Sequence, residues 1–186
     1  PDAKIRADAT FAEFGDRFTF HDLSFQRMDE VSSESEFDGV IMDLGISSFQ
    51  LMEPLKGFSF RLDAPIDMRL DPRVGISAAE FLETASSESL VRAIREYGEE
   101  KRWNRVVNAI IEARGSGVLL RTTTAAELVS EAVGGRRFRQ KIHPATKTFQ
   151  GIRIAINGEM EALAVTLPKA FRALKPNGVL AVISFH

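Results

Sequence analysis

The sequence predicts an α/β fold in which a parallel-sheet core is interrupted by an all-helical subdomain. Two short apolar runs, at residues 40–42 and 179–185, lie between turn-forming residues and are typical of strands buried on both faces of a parallel sheet. Between them, residues 77–133 carry only helical periodicity. This order of strand, helices and strand indicates an α/β core that is split by a helical subdomain.

The first forty residues predict one helix and one strand ahead of the first apolar run. Residues 3–14 space their apolar side chains among charges, which predicts a surface helix that stops at Gly15. Phenylalanines alternate in the following segment, which predicts a strand near residues 17–22. A serine-rich loop then leads into the strand that ends at Asp43.

The end of that strand is the first candidate site. Asp43 directly follows the apolar run, and Gly45, Ser47 and Ser48 come after it. Ligands of open α/β sheets collect at the carboxyl ends of the strands, so an acid at this position indicates a binding site. The alternative is a helix cap or turn, since Asp and Ser are favoured in both. The residues alone leave both interpretations open.

A long segment without periodicity follows, from Gly45 to about Val74. Loops of this length are typically functional or disordered, and the aromatic and apolar residues of GFSFRLDAPIDMRLD argue against disorder. Within it, Asp67 and Arg69 are expected to pair and stiffen the loop.

The helical segment has recognisable starts and a continuous apolar face. Ser77 with Glu80, and Thr124 with Glu127, fit the capping-box pattern. One helical face is formed by Trp103, Val106, Val107, Ile110 and Ile111. We therefore assign the domains as follows: a core of residues 1–73 and 143–186, and an inserted helical subdomain of residues 74–142.

The final segment predicts a helix and then the second strand. An apolar stripe runs from Met160 to Leu174, with Asn157 as the expected cap and Pro168 as a kink or restart. The phrase LKPNG ends this helix, and residues 179–185 form the last strand, which we expect to be buried.

Composition excludes several classes of protein. The 186 residues contain no cysteine, so disulfide scaffolds, thiol catalysis and cysteine-based zinc sites are excluded. Three widely separated histidines give no metal-ligand spacing, and no apolar run approaches the roughly 20 residues that span a bilayer. Both ends cut across predicted elements, so we interpret the chain as an internal piece of a longer protein.

Charge is nearly balanced overall, at −2, but it is unevenly distributed. Residues 132–158 contain no acidic residue. The cations of this segment are Arg136, Arg137, Arg139, Lys141, Lys147 and Arg153. A local basic patch is typical of phosphate binding, and a solvated surface is the alternative.

Several separated phrases resemble one family. DLGISS, GFSFR, PIDMRLD, SAAEFL, YGEE, HPATKTFQGIRIAIN and ISFH stand in the order found in the S-adenosylmethionine-dependent cytosine-N(4) methyltransferases of small-subunit ribosomal RNA. The resemblance covers roughly residues 18–186. It implies an incomplete Rossmann-like class I methyltransferase core, a helical insertion that helps to recognise RNA, and a cytoplasmic enzyme. Small-subunit ribosomal RNA, or the small subunit itself, is the implied partner, and a homodimer is left open.

The resemblance also implies site residues. Phe25, Asp43 and Gln50 match the family's S-adenosylmethionine-binding positions. Asp43 and His186 are the candidates to accept a hydrogen from the target amine. The family's glycine-rich loop and ribose-binding acid would precede Pro1, so we expect this exact chain to bind S-adenosylmethionine weakly or not at all.

The remaining candidates concern RNA. Phe58 and Phe60 can stack on a base, with the alternative that they anchor the loop in the core. His143, Lys147 and Arg153 can hold phosphates. Two other functions stay open: a class I methyltransferase with another substrate, and a non-catalytic RNA-binding or assembly module.

Overall fold

The computed structural model of the chain describes residues 2–134 and 142–185, which form two compact units. One unit comprises Pro1–Leu44 with Glu161–His186, and the other comprises Gly45–Met160. The strands are β1 (Phe37–Asp43) and β2 (Leu174–Ile183). The α-helices are α1 (Asp2–Thr10), α2 (Ser48–Met52), α3 (Ala78–Thr84), α4 (Ser87–Val91), α5 (Trp103–Ala113), α6 (Thr122–Ala132), α7 (Thr146–Asn157) and α8 (Glu159–Ala173).

The two predicted strands pair in parallel, as expected. β1 and β2 run in register from Gly39 opposite Val179 to Asp43 opposite Ile183. The Leu44 N–H continues the ladder by donating to the Ile183 carbonyl at 3.0 Å. The coarse prediction of a mixed α/β fold with a parallel sheet is therefore confirmed, and Asp43 is the last residue of β1.

The prediction that both strands are buried is wrong. Met42 is the single buried residue of β1, whereas Ile41 is 75% exposed and Val179 of β2 is 66% exposed. A strand is buried on both faces only where layers cover both sides of its sheet. An apolar sequence favours burial but does not supply the covering layers. In the described part of this unit, β1 and β2 form a two-stranded ribbon.

The segment before β1 also differs from the prediction. α1 ends at Thr10, a 3-10 helix spans Ala12–Arg17, and residues 18–22 have no regular structure instead of the predicted strand. A strand needs a neighbour for its backbone hydrogen bonds, and within the described chain the only sheet is β1–β2. The Phe18 ring instead packs on Phe11, with centroids 4.5 Å apart.

The helical unit, Gly45–Met160, is longer than the predicted insertion, residues 74–142. Its core includes Phe58, Ile66 and Met68 from the long loop, and Phe149 and Ile152 from α7. These side chains complete the core around α3, α5 and α6, so the compact unit extends to Gly45 and Met160 rather than stopping near residues 74 and 142. The predicted apolar face of α5 is confirmed at its buried residues Val106, Val107 and Ile110.

Two glycines allow α7 to lie directly against a π-helix at Arg92–Tyr97. A Cβ on Gly151 would overlap the Ala93 carbonyl oxygen, and one on Gly98 would lie 2.5 Å from the Lys147 carbonyl oxygen. Main-chain atoms cannot move aside as a flexible side chain can. The contact therefore requires the absence of a side chain on both backbones.

Some helix ends agree with the predicted caps and others do not. Ser77 caps α3, since its hydroxyl accepts the Glu80 N–H. Thr124 caps nothing, because α6 begins at Thr122 and the Thr124 hydroxyl donates to the Val118 carbonyl. Asn157 is the last residue of α7 rather than a cap of the next helix, and Pro168 lies inside an unbroken α8.

Within the described residues, no helix combines the length and apolar character needed to cross a membrane.

Candidate functional site

Asp43 lies at the carboxyl end of β1 with its side chain in solvent. Among the described residues, no side chain or backbone group donates to its carboxylate. An uncommitted acceptor at the end of a parallel strand can receive hydrogen bonds from a ligand. Asp43 thus lies at the strand end where the sequence predicted it, and its role in binding stays a prediction. The cap of α2 is a different residue.

Ser47 and Gln50 form a complete capping box at the start of α2. The Ser47 hydroxyl accepts the Gln50 N–H at 3.3 Å, and the Gln50 Oε1 atom accepts the Ser47 N–H at 2.9 Å. The cap interpretation of this segment is therefore confirmed for Ser47, not for Asp43. The side-chain oxygen of Gln50 is therefore hydrogen-bonded in the cap, whereas its NH₂ group can still donate hydrogen bonds.

Phe25 begins a 3-10 helix, Phe25–Glu30, and the residue is 46% exposed. Lys169 of α8 fixes this turn, because its ammonium donates to the Gln26 carbonyl at 2.6 Å and to Asp29 at 2.7 Å. The hydrogen bond from Lys169 lowers the pKa of Asp29 below its usual value. An exposed aromatic face on an anchored turn is suited to covering a planar group.

The long loop carries two consecutive Asp-x-Arg pairs. Arg69 holds both oxygens of Asp67, at 2.7 and 2.9 Å, which confirms the predicted pair. Arg73 binds Asp71 in the same way, at 2.8 and 2.7 Å. These side-chain hydrogen bonds lower the pKa of Asp67 and bring that of Asp71 to about 2. Both acids are therefore engaged within the loop.

The two phenylalanines of the loop have different surroundings. Phe58 is only 6% exposed and belongs to the core, so its ring faces are not open to a base. The loop-anchor alternative therefore holds for Phe58, and the base-stacking prediction is corrected. Phe60 is partly buried, with its ring 4.5 Å from that of His143 and edge-on to Phe149 at 5.0 Å.

The predicted phosphate contacts separate in a similar way. Lys147 is exposed, with its ammonium 3.2 Å from the Glu99 carbonyl oxygen. Arg153 instead forms a two-pronged ion pair with Glu159 at 2.7 and 2.9 Å, with side chains 15% and 20% exposed. The structure thus removes Arg153 from the list of available cations, because its guanidinium is already committed to a carboxylate.

Some predicted residues lie outside the described ranges. These are His186 and the basic residues Arg136, Arg137, Arg139 and Lys141. Within those ranges, no group of three or more His, Asp or Glu side chains is arranged to hold a metal ion.

Sequence reasoning missed the role of Asn157. Its Nδ2 atom donates to the Met68 carbonyl at 2.8 Å, and its Oδ1 atom accepts the Leu70 N–H at 2.8 Å. Between these bonds, Met68 is buried with a left-handed φ of 59°. No sequence signal predicts these two contacts, because their partners are separated by 87 and 89 positions along the chain.

The chain is similar in sequence to members of one known protein family. A model of the MraW methylase family matches residues 1–186. The chain is 41% identical to the ribosomal RNA small subunit methyltransferase H of Syntrophotalea carbinolica, over 100% of the chain and 60% of that protein. It is 44% identical to the protein of the same name from Nitrosococcus oceani, over 99% of the chain and 59% of that protein. The chain therefore spans about 60% of the length of the curated relatives it matches.

Proposed function

Because this chain belongs to the MraW methylase family, we propose that it is part of an enzyme that methylates the exocyclic amine of a cytosine in small-subunit ribosomal RNA. The methyl donor would be S-adenosylmethionine. The observation that carries the proposal is the match over the whole chain to the MraW methylase family, together with the similarity to proteins named ribosomal RNA small subunit methyltransferase H. A Rossmann-like class I core and a cytoplasmic location belong to the same proposal.

The described residues fit such a donor chemically. No group among the described residues donates to the Asp43 carboxylate, so it can accept hydrogen bonds from a ligand. The Gln50 NH₂ group takes no part in the α2 cap and can donate a hydrogen bond. The exposed face of Phe25 can cover the adenine ring. Each residue would supply one kind of contact: an acceptor from Asp43, a donor from Gln50 and an aromatic surface from Phe25.

The chemistry asks for positioning more than for acid catalysis. S-adenosylmethionine supplies a methyl group on a sulfonium, whose departure leaves a neutral thioether. The cytosine amine is the difficult partner, because its lone pair is delocalised into the ring. Asp43 would accept one hydrogen of that amine and orient the nitrogen, and His186 is the alternative acceptor.

The helical unit would contact the RNA. Lys147 offers an exposed cation at the start of α7, and the Phe60–His143 stack lies at the same end of that helix. The predicted insertion, residues 74–142, would contribute the rest of this face. Aromatic rings beside cations are the usual means of holding single-stranded RNA.

The decisive experiment is methylation of isolated small ribosomal subunits by the native protein with labelled S-adenosylmethionine. Asp43→Asn should lower incorporation by about 100-fold or more if the carboxylate acts on the amine. Asp38→Asn is the matched control, since Asp38 is an exposed acid of the same strand paired with Lys175 at 2.9 Å.

Other outcomes separate the alternatives. Incorporation into DNA or free nucleosides, but not into subunits, would favour a methyltransferase with another substrate. Binding to subunits without incorporation would favour the assembly module. Equal activity of the Asp43 variant and wild type would remove Asp43 from the mechanism.

A further inference from the structure

The loop segment at residues 61–73 contains three arginines and three aspartates, and two of the three pairs that sequence proximity suggests are formed. Asp67 and Asp71 each bind the arginine two positions later, as described above. In both pairs the arginine's own backbone N–H also donates to the aspartate, at 3.1 and 3.0 Å. The order aspartate, spacer, arginine therefore closes a compact ring.

The third pair does not form. Arg61 precedes Asp63, so the order is reversed, and the Arg61 N–H donates to the Ser59 hydroxyl at 3.2 Å instead. Asp63 is bound by Arg121 at 2.9 Å and by the Thr123 hydroxyl at 2.6 Å. These two hydrogen bonds lower the pKa of Asp63, with that from Arg121 the larger cause.

Arg61 is consequently the unmatched arginine of residues 61–73. Its side chain is exposed, and within the described residues no carboxylate or carbonyl accepts from its guanidinium. The guanidinium keeps all five N–H donors in a planar fork. All three carboxylates of the segment are occupied by other arginines, so a partner for Arg61 has to come from outside the segment.

The backbone next to Arg61 is held in place. Phe60 directly precedes it, and the Phe60 ring is fixed between His143 and Phe149. Arg61 therefore extends from a fixed point beside an aromatic pair, near the amino end of α7. In sequence, His143 closely follows the basic stretch that ends at Lys141.

From these contacts we propose that Arg61 binds a phosphate group of the RNA backbone. The ligand class is a phosphodiester, which the guanidinium fork can hold through two parallel hydrogen bonds. This proposal rests on the proposed function and adds a residue to it, because Arg61 would share the RNA strand with Lys147.

The test is a salt titration of binding between the native protein and deproteinised small-subunit ribosomal RNA, measured by fluorescence anisotropy. Arg61→Ala should reduce the slope of log affinity against log salt by about one unit and lower the affinity. Arg61→Lys should keep the slope and recover only part of the affinity, since it keeps the charge without the fork.

Arg73→Ala is the matched control, because Arg73 is also an exposed loop arginine, 85% exposed, but it is neutralised by Asp71. Its slope should equal that of wild type. An unchanged slope in Arg61→Ala, an equal change in Arg73→Ala, or wild-type protein that does not bind this RNA would overturn the proposal. A melting temperature equal to wild type in Arg61→Ala excludes misfolding as the cause.

The binding assay needs no methyl transfer, so the two proposals fail separately. Salt slopes as expected without methylation of subunits would leave Arg61 as an RNA contact and remove the enzymatic proposal. Normal methylation with an unchanged slope would do the reverse.

Discussion

Replacement of Asn157 by alanine should loosen the loop that leads into α3. The Asn157 amide makes the two hydrogen bonds that bracket Met68, one to the Met68 carbonyl and one from the Leu70 N–H, each at 2.8 Å. Met68 has a left-handed φ of 59°, a conformation that costs a residue with a side chain about 1–2 kcal/mol. The surrounding bonds must offset this cost.

The size of the effect follows from those bonds. Two lost hydrogen bonds contribute about 2 kcal/mol, and a Met68 carbonyl left without its partner adds to this. Alanine returns about 0.5 kcal/mol through its higher helix propensity at the end of α7. We therefore expect local opening to become easier by about 2 kcal/mol, which corresponds to about 30-fold faster hydrogen exchange at the Leu70 amide.

The measurement is site-resolved hydrogen exchange on the native protein. Asn108→Ala is the control, because Asn108 is an exposed asparagine of α5 and its loss should change stability by less than about 0.5 kcal/mol. Asn157→Asp should retain part of the Leu70 protection, since it keeps the acceptor and loses the donor. Exchange at Leu70 within about threefold of wild type in Asn157→Ala would refute the reasoning.

Three further substitutions test other features. Gly151→Ala should destabilise the protein by about 3 kcal/mol in chemical denaturation, because the added Cβ would overlap a backbone oxygen of the π-helix. Gly39→Ala is the control: the nearest contact of its Cβ is at 3.6 Å, so its unfolding free energy should stay close to that of wild type. Thr148→Val should raise the melting temperature, since the buried Thr148 hydroxyl has no hydrogen-bond partner in the described structure; a drop would contradict this. The hydrogen bond from the Arg69 guanidinium lowers the pKa of Asp67, so the ionised Asp67 carboxylate stabilises the fold above pH about 4 and this stabilisation is lost as pH falls through the lowered pKa. The difference in unfolding free energy between wild type and Asp67→Asn should therefore shrink over that acidic range. A constant difference would argue against the pair.

Local patterns predicted much of the fold. The strand ending at Asp43 could be predicted from a short apolar run bounded by turn-forming residues, and the buried face of α5 from a period of 3.6 residues, because both patterns are local in the sequence. The Asp67–Arg69 pair could be predicted for the same reason, since its partners are two residues apart.

Contacts between distant residues could not be predicted in this way. Asp63 lies two positions after Arg61 in sequence but binds Arg121, which is 58 positions away. Arg153 resembles a free cation until its glutamate partner is located at the start of α8. The error on strand burial has a related cause, because apolar residues in β1 do not reveal which layers lie against them.

The site itself was predicted in part. The sequence placed Asp43 at a strand end, and the structure leaves its carboxylate open there. The sequence did not reveal that the Gln50 side chain takes part in the α2 cap. A turn rich in Asp and Ser is compatible with a binding site and with a helix cap, and sequence alone does not separate the two. The binding roles of Phe25, Asp43 and Gln50 remain predictions.

The β1–β2 ribbon has a consequence for how the isolated 186-residue chain would behave in a test tube. Within the described structure each strand has one edge without a partner, and large apolar side chains such as Ile41 and Val179 lie in solvent. Open edges of this kind are templates on which strands from other molecules can add. Self-association would then depend on protein concentration, so dilute preparation and light-scattering measurements would have to precede any spectroscopy on this chain.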